Sequence, residues 1–297
     1  MVAFEFLINA ISLGSLYALI ALGLVIIFGI LKMVNFAYGE LIMFGGYVLY
    51  LVGSNFRLPW LFVALFAVLG AMIVSYLTEL VAFRRVREKS LTALLITSFA
   101  VSTLLQNGAL LIISPRAKAV VLPNIFSQSI TWFGITIPMR NILTISISIL
   151  MLVGLTLLFR YTILGIALRA AADNFRMTRM LGVPANLVIS SAFVLSGMIA
   201  GVVSLFWIGR TASVTPNIGL GPLLIAFVAT VIGGMQSLMG AVLGGFVYGM
   251  IFSFIGVLLP QTLLDYREAF MFLIVILILL WRPEGLVRTR YVQERVG

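Results

Sequence analysis

Four charged side chains lie within eleven residues of one stretch of this otherwise apolar chain: Arg169, Asp173, Arg176 and Arg179. A helix inside hydrocarbon does not hold so many charges, because each costs several kcal/mol at the bilayer centre. The helix-favouring run 165–181 ends at Gly182, which accepts a left-handed cap, and Pro184 follows. The pattern predicts a short helix that lies on one face of a membrane and is exposed to a partner or to lipid headgroups.

Enzymatic chemistry is poorly supported by the residue types. The chain has no cysteine and no histidine, which removes thiolate chemistry, disulfides, the commonest metal ligand and the commonest general base. None of its three lysines ends a phosphate-binding G-x-x-x-x-G-K-[ST] pattern. We therefore expect no catalytic residues, no metal site, no cofactor bound by this chain and no enzyme activity.

Composition indicates an integral membrane protein. Of 297 residues, 62% are hydrophobic and 9% are charged, whereas soluble domains carry about 25% charged residues. Apolar blocks of about 20 residues recur along the chain, which favours helices over a barrel. We predict an all-α, polytopic helical bundle that forms a single transmembrane domain over residues 1–297. We attribute the net charge of +10 to membrane orientation and expect no nucleic-acid partner.

Nine apolar blocks are candidate spans, although an eight-span arrangement stays open because two blocks are irregular. The blocks are 7–31, 33–52, 60–82, 91–113, 139–159, 187–208, 223–239, 241–259 and 266–281. Twelve of the 19 basic residues fall in three clusters, at 84–89, 160–179 and 282–295. The positive-inside rule places these clusters in the cytoplasm, with an external N-terminus and a cytoplasmic C-terminus.

Two loops follow from this topology. The loop at about 160–186 is cytoplasmic and contains the charged helix, and the loop at about 114–138 is external. In the external loop, apolar and polar residues alternate over 129–137 around Gly134, which predicts a short hairpin. The hairpin is either a docking surface for an external partner or a cap on the bundle.

Two of the blocks are interrupted. Block 33–52 contains Asn35, Gly39 and Glu40 as well as paired glycines at 45 and 46, and block 223–239 has about ten apolar residues before Gly233 and Gly234. Ten helical residues span roughly 15 Å, about half of a bilayer core. By the topology above the two blocks run in opposite directions, which is a sequence pointer to inverted repeats around a translocation path.

The residues predicted to line this path share a position in or beside the interrupted blocks. They are Asn35, Phe36, Gly39, Glu40, Phe44, Phe227, Gly233, Gly234 and Gln236. Glu40 is a functional candidate as an intramembrane carboxylate, and the alternative is a structural role near the cytoplasmic interface beside Lys32. Pairs of glycines four residues apart, at 197/201, 240/244 and 245/249, allow close helix packing either at a subunit seam or within the chain.

The energy source must lie outside the chain or be absent, since no nucleotide site is visible. The cytoplasmic segment is where a partner's work could enter, and the alternative is an interfacial helix held by anionic lipid. The residues assigned to coupling lie on this segment: Arg169, Ala171, Asp173, Arg176, Arg179, Leu181 and Gly182.

Three stretches together resemble the permease subunits of the branched-chain amino acid ABC importers, specifically the smaller of the two paired permeases. They are Val34–Glu40 (VNFAYGE), the cytoplasmic Arg169–Asn174 (RAAADN) with Met180–Val183 (MLGV), and Val231–Met235 (VIGGM). The resemblance covers nearly the whole chain. It implies a homologous second permease, two cytoplasmic ATPase subunits that use ATP, an external solute-binding protein, and a multi-pass location in the bacterial inner membrane.

The resemblance also leaves alternatives open. The chain departs from the family pattern at Tyr38, where histidine or glutamine is commoner, and at Thr178–Arg179, where small residues are commoner. Permeases for urea, short-chain amides or polar amino acids therefore remain candidates. An ion-coupled secondary transporter and a non-transporting membrane scaffold are rivals from other classes, although broken helices at membrane depth argue against a scaffold.

Overall fold

The computed structural model describes residues 2–56, 58–87, 89–132, 135–235, 237–282 and 285–287. This part of the chain contains eleven α-helices. They are α1 Val2–Leu31, α2 Tyr38–Asn55, α3 Trp60–Thr78, α4 Arg84–Val86, α5 Leu91–Ile112, α6 Met139–Tyr161, α7 Ile163–Met180, α8 Ala185–Thr211, α9 Leu220–Gly233, α10 Leu238–Leu258 and α11 Arg267–Trp281. A π-helix, Glu79–Phe83, joins α3 to α4, and short 3₁₀ turns occupy Asn124–Phe126 and Gln261–Tyr266.

The helical membrane architecture is confirmed. Within the described residues, six helical segments are long and apolar enough to cross a membrane. They are Phe4–Leu31, Trp60–Val86, Leu91–Ile112, Met139–Tyr161, Ala185–Thr211 and Leu238–Leu258. The apolar helix α9 has 14 residues, and its length of about 21 Å falls short of a bilayer core of about 30 Å.

The centre of the bundle is formed by α1 and α8. Within their spans 83% of α1 and 72% of α8 are buried, compared with 11% of α5 and 22% of α6. The Ser196 hydroxyl of α8 donates to the Gly23 carbonyl of α1 over 2.8 Å, deep between the two helices. Two central helices thus carry the packing, while α5 and α6 lie at the periphery.

Helix packing repeats itself across the bundle. The principal neighbour of α1 is α10, and the principal neighbour of α8 is α3. In the same way α2 packs on α3 and on α8, whereas α9 packs on α10 and on α1. Helices α1, α2 and α3 therefore correspond to α8, α9 and α10, because each helix of one set makes the same main contacts as its counterpart in the other set.

The glycine pairs pack helices together within this chain. A Cβ atom on Gly197 or Gly201 would meet α3, and one on Gly245 or Gly249 would meet the backbone of α1. These contacts confirm the within-chain interpretation of the four-residue glycine spacing.

Small strands cover one end of the bundle. Strands β2 (Ser129–Trp132) and β3 (Ile135–Pro138) pair antiparallel, which confirms the predicted hairpin, although Gly134 lies outside the described residues. The Glu5 carboxylate accepts a hydrogen bond from the Thr136 N–H over 2.9 Å and ties the hairpin to α1. Strands β1 (Lys118–Ala119) and β4 (Ser213–Val214) also pair antiparallel, a contact that the sequence did not predict.

Candidate translocation and coupling sites

The first interruption lies at the start of the predicted block 33–52, around Asn35. Helix α1 ends at Leu31, the linker 32–37 follows, and α2 then runs without a break from Tyr38 through the glycines at 39, 45 and 46. Block 33–52 is therefore interrupted at its first residues, and its glycines at 39, 45 and 46 lie within a continuous helix. Gly45 and Gly46 instead allow α2 to approach α8, since added Cβ atoms would crowd Ser204 and Ile208.

The starts of α2 and α9 meet each other inside the bundle. A Cβ atom on Gly39 would overlap the carbonyl oxygen of Gly219, and a Cβ on Gly219 would overlap that of Gly39. Both glycines are buried, and each lies in the first turn or at the N-cap of its helix. We call the linker 32–37, the linker 215–219 and the first turns of α2 and α9 the helix-start junction.

The two linkers of the helix-start junction share a local design. Asn35 precedes the N-cap Ala37 by two residues, and Asn217 precedes the N-cap Gly219 by two residues. The Asn35 carbonyl accepts from the N–H of Tyr38 over 3.1 Å, and the Asn217 carbonyl accepts from the N–H of Leu220 over 3.3 Å. Asn35 is buried, and its side-chain oxygen also accepts from the N–H of Ala37 over 3.1 Å. Equivalent turns thus start both short helices.

Glu40 lies in the first turn of α2 and is 1% exposed. Its Oε1 accepts a hydrogen bond from the Ser102 hydroxyl over 3.1 Å, and its Oε2 has no hydrogen-bond partner among the described residues. Ser102 follows the start of α5 by eleven residues, about 17 Å along a 22-residue helix. This contact places Glu40 beside the middle of α5, away from the cytoplasmic interface.

Helix α5 contacts the helix-start junction through side chains that sequence analysis did not single out. The Phe36 ring stacks on the Phe99 ring of α5, with centroids 3.9 Å apart. The Gln106 amide of α5 donates to the Asn217 side chain over 2.8 Å. Ser102 and Gln106 lie four residues apart on one face of α5, and this polar spacing within a largely apolar block was an available signal.

The remaining predicted path residues lie elsewhere on α2 and α9. Phe44 is half-buried against the core, and Phe227 is exposed midway along α9. Gly233 packs on Gly240 at the far end of α9, and Gly234 has φ +104°, where the chain breaks before α10. That end lies about 20 Å from the helix-start junction along α9. The break after Gly233 is as predicted, and Gln236 lies outside the described residues.

The charged cytoplasmic segment forms α7, but α7 is not continuous. Asn174 has φ −149° and ψ 95° inside the helix, and its side-chain oxygen accepts from the N–H of Met177 over 3.0 Å. The expectation of one uninterrupted helix over 165–181 was wrong at this position. Asparagine side chains compete for backbone donors and cap helix starts, so Asn174 ends one helical piece and begins the next.

The stop signal at the end of α7 is confirmed. Gly182 has φ +86°, its N–H donates to the Arg179 carbonyl, and the Val183 N–H donates to the Thr178 carbonyl. This is a glycine-capped helix end, after which Pro184 precedes the first residue of α8.

Most of the predicted coupling residues lie on the exposed side of α7. Arg169, Asp173, Arg179, Leu181 and Gly182 are exposed, whereas Ala171 is buried against the bundle. The side chain of Arg176 lies outside the described residues. The exposed side also carries large apolar groups that sequence analysis did not assign: Ile163, Ile166, Met177 and Met180.

Charged groups lie where α7 and its neighbours approach the bundle. Partial burial lowers the pKa of the Lys32 ammonium, and the Asp173 carboxylate of α7 acts in the opposite direction. Separately, the buried Glu79 carboxylate accepts from Arg84 over 2.9 Å and from the Ser190 hydroxyl over 2.8 Å. Glu79 thereby joins the end of α3 to the start of α8.

Comparison with known proteins gives one consistent family. The family model described as branched-chain amino acid transport system / permease component matches residues 6–279. A Pseudomonas aeruginosa protein named high-affinity branched-chain amino acid transport system permease protein BraD is 32% identical over 293 residues, covering 95% of this chain and 94% of the relative.

Proteins from two other organisms carry a similar name. The high-affinity branched-chain amino acid transport system permease proteins LivH of Salmonella typhimurium and of Escherichia coli K12 are each 31% identical over 295 residues. Each alignment covers 94% of this chain and 93% of the relative. Similarity therefore extends over nearly the full length of both partners in each alignment.

Proposed function

Since the chain belongs to the family of branched-chain amino acid transport permeases, we propose that it is the smaller permease subunit of an ATP-driven importer for leucine, isoleucine and valine. It is a multi-pass membrane protein and a transport subunit, and we place it in the bacterial inner membrane. Its proposed partners are a homologous second permease, two cytoplasmic ATPase subunits and an external solute-binding protein. ATP is used by the ATPase subunits, and this chain binds no cofactor.

The observation that carries the proposal is the meeting of α2 and α9 at Gly39 and Gly219. Two short helices that start at membrane depth leave their first backbone N–H groups without helical partners. Such non-helical backbone is tolerated at depth only where protein or a water-filled cavity surrounds it. The helix-start junction therefore suits the lining of a translocation path.

We further propose an inverted repeat and nine crossings. The exchange of α1–α3 with α8–α10 in the packing pattern supports two related halves. Helix α1 and helix α8 run in opposite directions, as do α2 and α9, in the proposed topology. The helix-start junction then lies where the two halves meet, which is where repeat-built transporters bind their solute.

Alternating access supplies the mechanism. ATP binding draws the ATPase subunits together and displaces α7, whose exposed side carries Met180 and Leu181. The displacement reaches the end of α1 through the packing of α7 on α1, and reaches α8 through the chain after Gly182. The helix-start junction then opens to one side of the membrane and closes to the other.

A branched-chain amino acid needs polar partners for its charged ends and an apolar wall for its side chain. The N-terminal ends of α2 and α9 suit the carboxylate, since helix N-termini favour anions. The stacked rings of Phe36 and Phe99 offer apolar surface beside them. Urea, a short-chain amide or a polar amino acid would use the same polar groups without the apolar wall.

An ion-coupled transporter is the second candidate, because Glu40 Oε2 is buried and has no partner among the described residues. It requires uptake that a sodium or proton gradient drives without any ATPase subunit. Glu40→Gln would then abolish uptake, since the neutral amide neither binds the ion nor releases a proton.

Reconstitution with the partner subunits tests the proposal. We expect leucine uptake into vesicles to require ATP and the binding protein and to persist when ion gradients are collapsed. Arg179→Glu and Gly182→Pro should leave ATP hydrolysis in place and remove most uptake, because both alter the end of α7. Uptake that follows an ion gradient in the absence of ATP would reject the ATP-driven mechanism, and wild-type uptake in both variants would reject the coupling role of α7.

A further inference from the structure

The peripheral helix α5 carries polar side chains on a surface that the described part of the chain leaves open. Only 11% of its span is buried, and its main contacts are with α2, the π-helix and α4. Two of its polar residues, Thr103 and Asn107, are exposed. They lie four residues apart and therefore on the same side of the helix. We call Thr103 and Asn107 the outer polar pair.

The outer polar pair lies at hydrocarbon depth. Thr103 follows Leu91, the first residue of α5, by twelve residues, and Asn107 follows it by sixteen. At 1.5 Å per residue these positions are about 18 Å and about 24 Å along a helix of about 33 Å. The exposed apolar side chains of Leu111 and Ile112 continue the helix beyond Asn107. The pair is therefore embedded in the span, away from the water at either end.

The hydrogen-bonding groups of the pair are only partly used. The Asn107 amide nitrogen donates to the Thr103 carbonyl over 2.8 Å, but the Asn107 side-chain oxygen and the Thr103 hydroxyl have no partner among the described residues. By contrast, the Thr97 hydroxyl donates to a carbonyl of α5 itself, and the Ser102 hydroxyl donates to Glu40. A polar group without a partner in hydrocarbon costs free energy, so acyl chains do not satisfy the pair.

The chemistry and depth of α5 decide which partner fits. Helix α5 contains no charged residue, so the partner that suits it is an uncharged helix within the membrane. ATPase subunits and a soluble binding protein act at the aqueous faces and do not reach this depth. An amide and a hydroxyl can each donate and accept, so a helix with similar side chains satisfies the pair across a two-fold seam. A homologous permease offers such a helix at the same depth.

We propose that the outer polar pair is the seam through which this chain contacts the second permease subunit, at the equivalent helix of that subunit. The inference rests on the proposed function, which supplies the partner but not the surface. Thr103 and Asn107 each follow by one residue a side chain that contacts the helix-start junction, Ser102 or Gln106. The second permease therefore supports α5 from outside, while the junction contacts its inner side.

Dissociation of the assembled importer in nanodiscs tests the seam. Asn107→Leu removes the amide, and the loss of a hydrogen bond between membrane helices should release the second permease roughly three- to tenfold faster. Thr156→Val on α6 is the matched control, because Thr156 is also exposed but its hydroxyl donates to the Leu152 carbonyl of its own helix. The control should release the second permease at the wild-type rate. Release at the wild-type rate from Asn107→Leu as well would reject the seam.

Photo-crosslinking in the same nanodiscs identifies the neighbour directly. Benzoylphenylalanine in place of Asn107 should attach to the second permease, which mass spectrometry identifies after digestion. The same probe in place of Leu150, which is 71% exposed on α6, should attach to lipid. Attachment to lipid alone at Asn107 would reject the seam. Attachment to a second copy of this chain would assign the surface to a homodimer and reject the proposed partner.

Failure of the seam and failure of the proposed function give different results. If the wild-type chain co-purifies with a second permease and supports ATP-driven leucine uptake, but the crosslink from Asn107 misses that subunit, only the seam is rejected. If the wild-type chain assembles with no second permease at all, the paired arrangement in the proposed function is rejected, and the seam with it.

Discussion

At the scale of single residues, the helix-start junction depends on two glycines whose backbones touch. Gly39 and Gly219 bring α2 and α9 together, and neither site has room for a methyl group. Asn35 and Asn217 shape the two linkers in the same way, and Glu40 lies beside them with one oxygen unpaired among the described residues. The chemistry of this centre is therefore that of backbone groups and one carboxylate.

Replacing Gly39 by alanine should disturb this centre strongly. The added Cβ would overlap the Gly219 carbonyl, and overpacking of this kind costs about 1–3 kcal/mol. We expect leucine uptake to fall roughly tenfold or more, since the cost applies directly to the contact between the two short helices. Initial uptake rates in reconstituted vesicles measure this effect.

Gly53→Ala is the matched control on the same helix. Its added Cβ would find its nearest neighbour, the Val63 side chain, at 3.9 Å, which is an ordinary contact. It should transport as the wild type does. Similar losses in both variants would mean that α2 tolerates no alanine anywhere and that the junction has no special role.

Sequence analysis located these residues without predicting their arrangement. Asn35, Gly39 and Glu40 were recognised because polar residues and glycine are unusual in an apolar block. Their partners Gly219, Ser102 and Phe99 come from distant parts of the chain, and no local pattern pairs them. Gly45 and Gly46 looked like a break, but the packing of α8 against them keeps α2 helical.

At the scale of elements, α7 combines an exposed surface with a defined end. Its apolar groups Met177, Met180 and Leu181 are exposed among the described residues, and the Gly182 cap fixes their position relative to α8. Sequence analysis predicted the cap, because glycine followed by proline is a local signal. It missed the break at Asn174, because asparagine in a run of helix formers gives no clear sign of its capping role.

Leu181→Ser should weaken association with the ATPase subunit. Leu181 is 84% exposed, and a leucine buried at an interface contributes about 1.5–3 kcal/mol. We therefore expect roughly tenfold weaker binding of the ATPase subunit to the permease in nanodiscs. Leu111→Ser is the control, because Leu111 is 88% exposed at the other end of the bundle and should leave binding unchanged. If the ATPase subunit bound both variants with equal affinity, the apolar side of α7 would not be part of the proposed interface.

At the scale of the whole molecule, the bundle has two halves that pack in the same way around α1 and α8. The sequence suggested this through two interrupted blocks in opposite orientation, but similarity between the halves at the level of residues is weak. The correspondence between α1–α3 and α8–α10 is seen only in the contacts that the helices make with one another. Long-range packing of this kind leaves little trace in composition or periodicity.

The proposed topology has a direct labelling test, since the chain contains no cysteine. Single cysteines at Ser127 and Thr262, both exposed, should react with an impermeant maleimide in intact spheroplasts. Single cysteines at Leu181 and Arg282 should react only after the membrane is permeabilised. Labelling of the Arg282 position from outside would eliminate the α11 crossing and with it the nine-span arrangement.

The most direct measurement follows the helix-start junction while α7 is altered. A spin label on Phe99→Cys, beside Phe36, reports the surroundings of the linker 32–37 in the assembled importer. We expect ATP to change the mobility of the label in the otherwise wild-type chain. In the Gly182→Pro background we expect ATP hydrolysis to continue and the label to keep its resting spectrum. An ATP-driven change that persists in Gly182→Pro would contradict the claim that α7 transmits motion to the junction.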